Sequence, residues 1–271
     1  MDMRSRFLDL CVALALLVSL PGAWPQSKGI NPVLLAKAND GDAKSQSLIG
    51  EAYLNGFSKD GINVPQDFTL AEFWCRKAAE QGEKVAQFDM GVLYLRGLGV
   101  PQDNWKAADW FLKAANQGYA RAQYQLATLF EEGQGRIQSH ALAATFYRKA
   151  AEQGDAEAQF ALGLLYDNGN GVPQDFTQAA IWYRKAAEQG HVTAQFNLGV
   201  LYFNGQGNPR SYAEAYFWLD LASSGNDGTQ REEWMKTRDR AAEKLTPEEL
   251  SQAQQRATKW FVDHSAKGNP Q

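Results

Sequence analysis

The sequence predicts an all-α fold, a solenoid of stacked helix pairs, and three observations carry that prediction. Ala-Gln recurs at Ala86-Gln87, Ala122-Gln123, Ala158-Gln159 and Ala194-Gln195, each step being 36 residues. The same step links Gly82, Gly118, Gly154 and Gly190, and it links the ring column Trp74, Trp110, Phe146, Trp182 and Trp218. Within each copy the apolar residues follow the helical period rather than strict alternation. A first copy begins near Gln46, 41 residues before Gln87, because its stretch Gly56 to Asn63 is five residues longer. There are therefore five copies, over about 42–83, 84–119, 120–155, 156–191 and 192–227.

Each element can be justified in chain order. Arg4 and Arg6 precede the apolar run Leu10 to Leu20, then the breaker Pro21-Gly22 and the small Ala23, the layout of a secretory signal cut near Ala23. The run falls well short of the roughly 20 residues that cross a bilayer, so no stable membrane span is expected after cleavage. Residues 24–41 read as a linker and a lone capping helix, with Asn31 as N-cap, Pro32 at the first helical position and Gly41 beyond the end.

Within a copy, the first helix places Ala158, Leu162, Leu165 and Tyr166 on one face and ends at Gly169, a stop repeated at Gly56, Gly97, Gly133 and Gly205. A short loop such as Gly171-Val172-Pro173-Gln174 leads to the second helix. Before that helix stand Asp67, Asp103, Ser139, Asp175 and Ser211, all able to accept from free first-turn amides. The switch from Asp to Ser changes the residue and keeps the capping chemistry. Its apolar face is expected through Ala179, Ile181 or Trp182, and Ala186, with Gly190 closing it. One helix pair cannot bury its own apolar face, so the copies must stack and the ends need caps. Arg231 to Lys244 and Pro247 to His264, within 228–265, read as two polar capping helices, followed by a tail, 266–271.

Composition narrows the function. A chain of 271 residues with 44% hydrophobic and 21% charged residues and a mean hydropathy of -0.46 belongs with ordinary folded soluble proteins. Its net charge of -4 lacks the basic excess that a phosphate-backbone footprint needs, which argues against nucleic acid as partner. His140, His191, His264, Cys11 and Cys75 are too scattered for metal-ligand spacing, so no metal and no cofactor are expected. Cys11 lies inside the signal, leaving Cys75 alone in the mature chain as a small core residue without a disulfide.

Catalytic patterns are absent at the sequence level, and no enzymatic activity is expected. The Gly-x-Gly pairs at Gly97, Gly169 and Gly205 are turn residues, without the strand and third glycine of a phosphate cradle. Glu131-Glu132 is the most tempting carboxylate pair, but consecutive helix positions diverge by about 100°, so a solvated face is expected. His140 and His191 are placed at the surface, and Arg148-Lys149 and Arg184-Lys185 at negative helix ends. Phe88, Tyr124, Phe160 and Phe196 share one repeat position, where packing between copies is preferred over ligand stacking.

The pattern A-Q-x-x-L-G-x-L-Y-x-x-G-x-G-V-x-x-D-x-x-x-A-x-x-W-Y-x-K-A-A-E-Q-G, nearly whole at Ala158 to Gly190, closely resembles the Sel1-like repeat, a branch of the tetratricopeptide-like α/α solenoids. The resemblance covers about residues 42 to 227 and implies a right-handed α/α solenoid. Leu245-Thr-Pro-Glu-Glu-Leu is similar to the tail that often follows such arrays. Copy 3 departs at Ala127 and Arg136-Ile137-Gln138, and copy 5 at Asn208-Pro209-Arg210, so those two loops are expected to differ in shape.

A framework position repeats between copies, whereas a recognition position should vary, because a partner is not itself a 36-residue repeat. That criterion selects Leu48, Asp89, Gln125, Ala161 and Asn197, and a second column Asn55, Arg96, Glu132, Asn168 and Asn204. In the resembling solenoids the first helices line the concave surface, which makes these columns the expected partner-binding stripe. The resemblance implies a bacterial, exported scaffold or adaptor, periplasmic or secreted, that binds one or more proteins of the cell envelope or of a host. The rival is a peptidoglycan-binding or cell-wall/β-lactam-hydrolysing envelope protein. Cysteine-rich members linked to such activity carry a disulfide per repeat, which Cys75 alone cannot provide.

Overall fold

The structure is a computed structural model that describes residues 29–59, 62–225 and 228–265. The signal over 1–23 with Cys11, the residues 24–28 and the tail 266–271 lie outside the described residues. The chain divides into two compact units, 1–89 with 98–100, and 90–97 with 101–271.

The first unit opens with α1 (Pro32–Asn39), where Asn31 Oδ1 accepts from the Val33 amide at 2.8 Å and Pro32 occupies the first turn. α2 (Ala43–Asn55) and α3 (Phe68–Glu80) form its repeat pair. The five extra residues between them are not a loose loop: β1 (Phe57–Lys59) and β2 (Ile62–Val64) pair antiparallel, Phe57 opposite Val64. Cys75 is fully buried and free, its Sγ 4.0 Å from Asp89 Oδ2. Burial pushes its thiol far above the ordinary range and the neighbouring Asp89 adds to that, so it is a core residue without nucleophilic character.

α4 (Lys84–Arg96) runs from the first unit into the second. The second unit continues through α5 (Asn104–Asn116), α6 (Ala120–Glu132), α7 (His140–Glu152), α8 (Ala156–Asn168), α9 (Phe176–Glu188), α10 (Val192–Asn204) and α11 (Tyr212–Gly225). α12 (Arg231–Ala242) and α13 (Pro247–Ser265) complete it, packing on α11. Thr246 and Glu249 start α13 with a reciprocal cap: the Thr246 amide donates to Glu249 Oε2 at 2.8 Å and the Glu249 amide to Thr246 Oγ1 at 3.3 Å. Ala253, Ala257 and Trp260 turn this otherwise polar helix onto the core around Leu219 and Tyr216.

The local signals read from the sequence hold. Asp67, Asp103, Ser139, Asp175 and Ser211 each accept from an amide two or three residues on, at 2.9–3.3 Å. Gly133, Gly169 and Gly205 cap first helices in the left-handed conformation. The second-helix face runs through Trp182 rather than Ile181, the two alternatives the sequence offers, and takes in Ala180 and Tyr183 as well. Trp182 is buried with Ala179, Ala180 and Tyr183, but Ile181 is 42% exposed, because one step of helical rotation carries it off the buried arc. The loops of copies 3 and 5 also keep the common shape. Gly133 and Gly135, like Gly205 and Gly207, have φ between 64° and 70°. Gln138 donates to Glu131 O at 2.8 Å as Gln174 does to Asp167 O, and Arg210 takes over the task by donating to Asn204 O at 3.3 Å.

The Gln of each Ala-Gln pair is buried and spans two copies. In the second unit Gln123, Gln159 and Gln195 donate through Nε2 to Ala115 O, Ala151 O and Ala187 O at 3.1 Å. Gln153 and Gln189 then donate to the Oε1 atoms of Gln123 and Gln159 at 2.7 and 2.8 Å. In the first unit Gln46 does the same, reaching Ala38 O at 2.8 Å and receiving Gln81 at 2.7 Å. This ladder gives a second donor to C-terminal carbonyls that already accept from Gly118, Gly154 and Gly190 amides at 3.0 Å, and ties each second helix to the next first helix. Gln159→Leu keeps the volume and removes both bonds, but Ala151 O still accepts from the Gly154 amide at 3.0 Å and Gln189 is exposed, so it should cost about 1–2 kcal/mol. A urea midpoint matching the wild type would show that the Gln159 amide is not needed there.

Candidate protein-interaction face

The face in question belongs to the first helices of the second unit, α6, α8 and α10. One side of each is fixed by the core: Ala122, Gln123, Leu126 and Leu129 on α6, Ala158, Gln159, Leu162 and Leu165 on α8, and their counterparts on α10 are buried. What remains is a half-buried strip of Tyr124, Gln125 and Thr128, then Phe160, Ala161 and Leu164, then Phe196, Asn197 and Val200. Its rings are held rather than free. Tyr124 lies 5.6 Å from the Tyr147 ring, Phe160 packs 5.9 Å from Tyr183 and 4.4 Å from His191, and Phe196 stacks on Trp234 at 4.6 Å. These contacts hold Tyr124 and Phe160 within their own copies, and Phe196 against the C-terminal cap, rather than between neighbouring copies as expected.

The two varied columns fare differently. Glu132, Asn168 and Asn204 are exposed in the second unit at the ends of the three helices, as is Arg96, and Asn55 is exposed in the first unit. Gln125, Ala161 and Asn197 are half-buried on the strip, and Leu48 is 47% exposed in the first unit. Asp89 breaks the pattern and is only 5% exposed. Its counterpart Asn197 stands 14 residues after the large Tyr183, whereas Asp89 stands 14 residues after the small Cys75, with Oδ2 4.0 Å from Sγ. Asp89 is therefore no part of an exposed stripe.

Two carboxylates are positioned, Glu131, for which a solvated face is expected, and Asp167, which the sequence patterns do not single out. The Tyr147 hydroxyl donates to Glu131 Oε2 at 2.7 Å, and the Tyr183 hydroxyl donates to Asp167 Oδ2 at 3.0 Å. Both tyrosines are buried, which pushes their hydroxyls well above the ordinary range, and the adjacent carboxylates reinforce the shift, so both remain donors. Glu132, by contrast, is exposed and turned away, as expected of adjacent helix positions. The signal that could have found the pairs is the recurrence of an acid at the same place in copies 3 and 4, each 16 residues before a Tyr.

His191 is not the plain surface residue expected. Its Nδ1 accepts from the Ala194 amide at 3.1 Å, capping α10, while Nε2 lies 3.4 Å from Glu157 Oε2. The terminal cations also do more than meet a helix dipole. Lys113 and Lys185 sit 3.9 and 4.0 Å above the Trp110 and Trp182 rings, and Arg148 donates to the Tyr166 hydroxyl at 2.7 Å. Among the described residues no group of three or more His, Cys, Asp or Glu side chains could hold a metal ion, and no helix is long and apolar enough to cross a membrane.

Helix pairs repeated at a fixed step, with a shared buried frame and a varied face on the first helices, define an α/α solenoid of interaction-module type. The Sel1 repeat family model matches residues 43–83, 84–119, 120–155, 156–191 and 192–227, and the chain belongs to that family. Among solved structures it is similar to a Sel1 repeat protein from Oxalobacter formigenes, with 35% identity and a TM-score of 0.65 over 75% of this chain and 57% of that one. It is also similar to c5321, a protective antigen of uropathogenic Escherichia coli strains with an SLR fold, with 31% identity and a TM-score of 0.54 over 96% of this chain and 64% of that one. The chain thus spans less than two thirds of the length of either. Comparison with curated proteins gave no match.

Proposed function

We propose that this protein is a non-enzymatic scaffold or adaptor of the bacterial cell envelope, which binds a protein partner on the first-helix face of its repeats. Sel1-repeat proteins are generally protein-interaction scaffolds. The observation that carries the finer reading is the contrast between positions: the Gln and Ala columns repeat and are buried, while Gln125, Glu132, Asn168 and Asn204 belong to varied columns and reach solvent. A geometry with fixed rings beneath variable side chains suits recognition of one polypeptide and offers no nucleophile paired with a base. Export agrees with the signal layout over 1–23 and with the description of the E. coli relative as a protective antigen.

A crosslinking pull-down from native envelopes tests this, comparing the wild type with a Gln125→Lys, Asn168→Lys, Asn204→Lys variant whose changed positions lie outside the core. Specific proteins retained by the wild type and lost by the variant are expected. Identical capture by both would overturn the placement of the face. Recovery of glycan without protein would favour the cell-wall reading instead.

A further inference from the structure

Glu131 and Asp167 are the side chains whose placement the scaffold alone does not explain. Both occupy the last turn of a first helix, α6 and α8, where the exposed carbonyls already concentrate negative charge and a carboxylate is unfavourable. Neither helix carries a basic residue in that turn. Both are half-buried, and among the described residues no lysine or arginine forms a salt bridge with either. Instead each carboxylate is oriented by a buried tyrosine, Tyr147 or Tyr183, which leaves the second oxygen of each unassigned.

The next copy reverses the arrangement. On α10 the corresponding positions are Phe203 and Asn204, and Arg240 of α12 lies over the Phe203 ring, 5.1 Å from its centroid. Half-buried Leu164 and Val200 stand three residues before Asp167 and Phe203 on α8 and α10, packed against the core. Copies 3 and 4 thus present two oriented carboxylates, with half-buried Leu164 one turn from Asp167, while the matching position of copy 5, Phe203, is uncharged and lies beside Arg240. An uncompensated pair of oriented carboxylates is complementary to cations delivered by the occupant, and Arg or Lys side chains supply them in charge-assisted hydrogen bonds.

We infer that the occupant of this face is a protein segment that seats two basic side chains, Lys or Arg, on Glu131 and Asp167, with an aliphatic side chain lying along Leu164 and Val200. The inference rests on the proposed first-helix face and adds the chemistry of its partner. Tyr147 and Tyr183 are positioning residues, holding each carboxylate so that little side-chain order must be created on binding.

The test is a display library of random short peptides selected against the full-length chain, with the selected binders then measured against a Glu131→Gln, Asp167→Asn variant. Those amides keep an oxygen for each tyrosine and remove both charges. Enrichment of paired Lys or Arg is expected, with at least about tenfold weaker binding to the variant, a loss that shrinks as salt is raised, and an unchanged melting temperature. Binders without basic enrichment, or equal binding to the variant, would overturn the charge assignment. The first-helix reading would survive that outcome if the same binders were still lost on the Gln125→Lys, Asn168→Lys, Asn204→Lys variant. Binders indifferent to both variants, or no binders at all, would overturn the two together.

Discussion

Trp182→Ala is expected to lower stability by about 3–5 kcal/mol, the range for truncating a large buried ring. Trp182 is 8% exposed and belongs to the cluster formed by Ala143, Ala144, Tyr147, Ala150, Leu162 and Leu165, so its loss opens a cavity between copies 3 and 4. Lys185 lies 4.0 Å above the ring and would lose its cation–π partner as well. The indole Nε1 is buried without a hydrogen-bond partner, so packing rather than polarity makes this residue valuable. It follows that Trp182→Phe, which removes an unsatisfied donor and keeps a ring, should cost less than half as much. Urea midpoints of the three proteins check both statements. A change below about 0.5 kcal/mol for the alanine variant would place the ring outside the core.

The parts of the fold legible in the sequence were those decided within one helical turn. An N-cap such as Asp175 bonds amides two and three residues ahead, and a stop such as Gly169 acts through its own backbone, so each leaves its mark at a fixed place in every copy. Contacts across copies were less visible. Gln159 was plain as a repeated letter, but its acceptor Ala151 O and its donor Gln189 lie 8 and 30 residues away, and only burial reveals the ladder. The hairpin Phe57–Val64 occurs once, so no second copy marked it as structure.

The candidate face was half legible for a related reason. Variation between copies identifies positions freed from the frame, and freedom from the frame is not the same as exposure. Gln125 and Asn204 meet both conditions, whereas Asp89 varies and yet is buried, its carboxylate 4.0 Å from Cys75 Sγ. Glu131 and Asp167 escaped notice from the opposite side. Judged as a catalytic pair, Glu131 failed beside Glu132, and its true counterpart was the acid one copy further on.

Gly163→Val is expected to cost about 3 kcal/mol, and the reason lies in how closely α8 and α9 approach. A methyl group added at Gly163 would come 2.6 Å from Cδ1 and 2.7 Å from Cε1 of Tyr183, well inside contact distance. Tyr183 cannot step aside cheaply, since it is fully buried, hydrogen-bonded to Asp167 and packed 5.9 Å from Phe160. Copy 3 limits the estimate from below. There the same position holds Ala127, fully buried in one cluster with Tyr147, so a single methyl is accommodated at this position of the repeat. Gly163→Ala should therefore cost less than about 1 kcal/mol, as the gain in helix propensity offsets the crowding. Valine adds two further carbons with a stiff χ1, and the ring would have to leave its carboxylate to admit them. Thermal melting of the two variants separates the cases: a valine variant as stable as the alanine one would mean that Tyr183 is free to move, and with it the orientation of Asp167 on which the carboxylate pair depends.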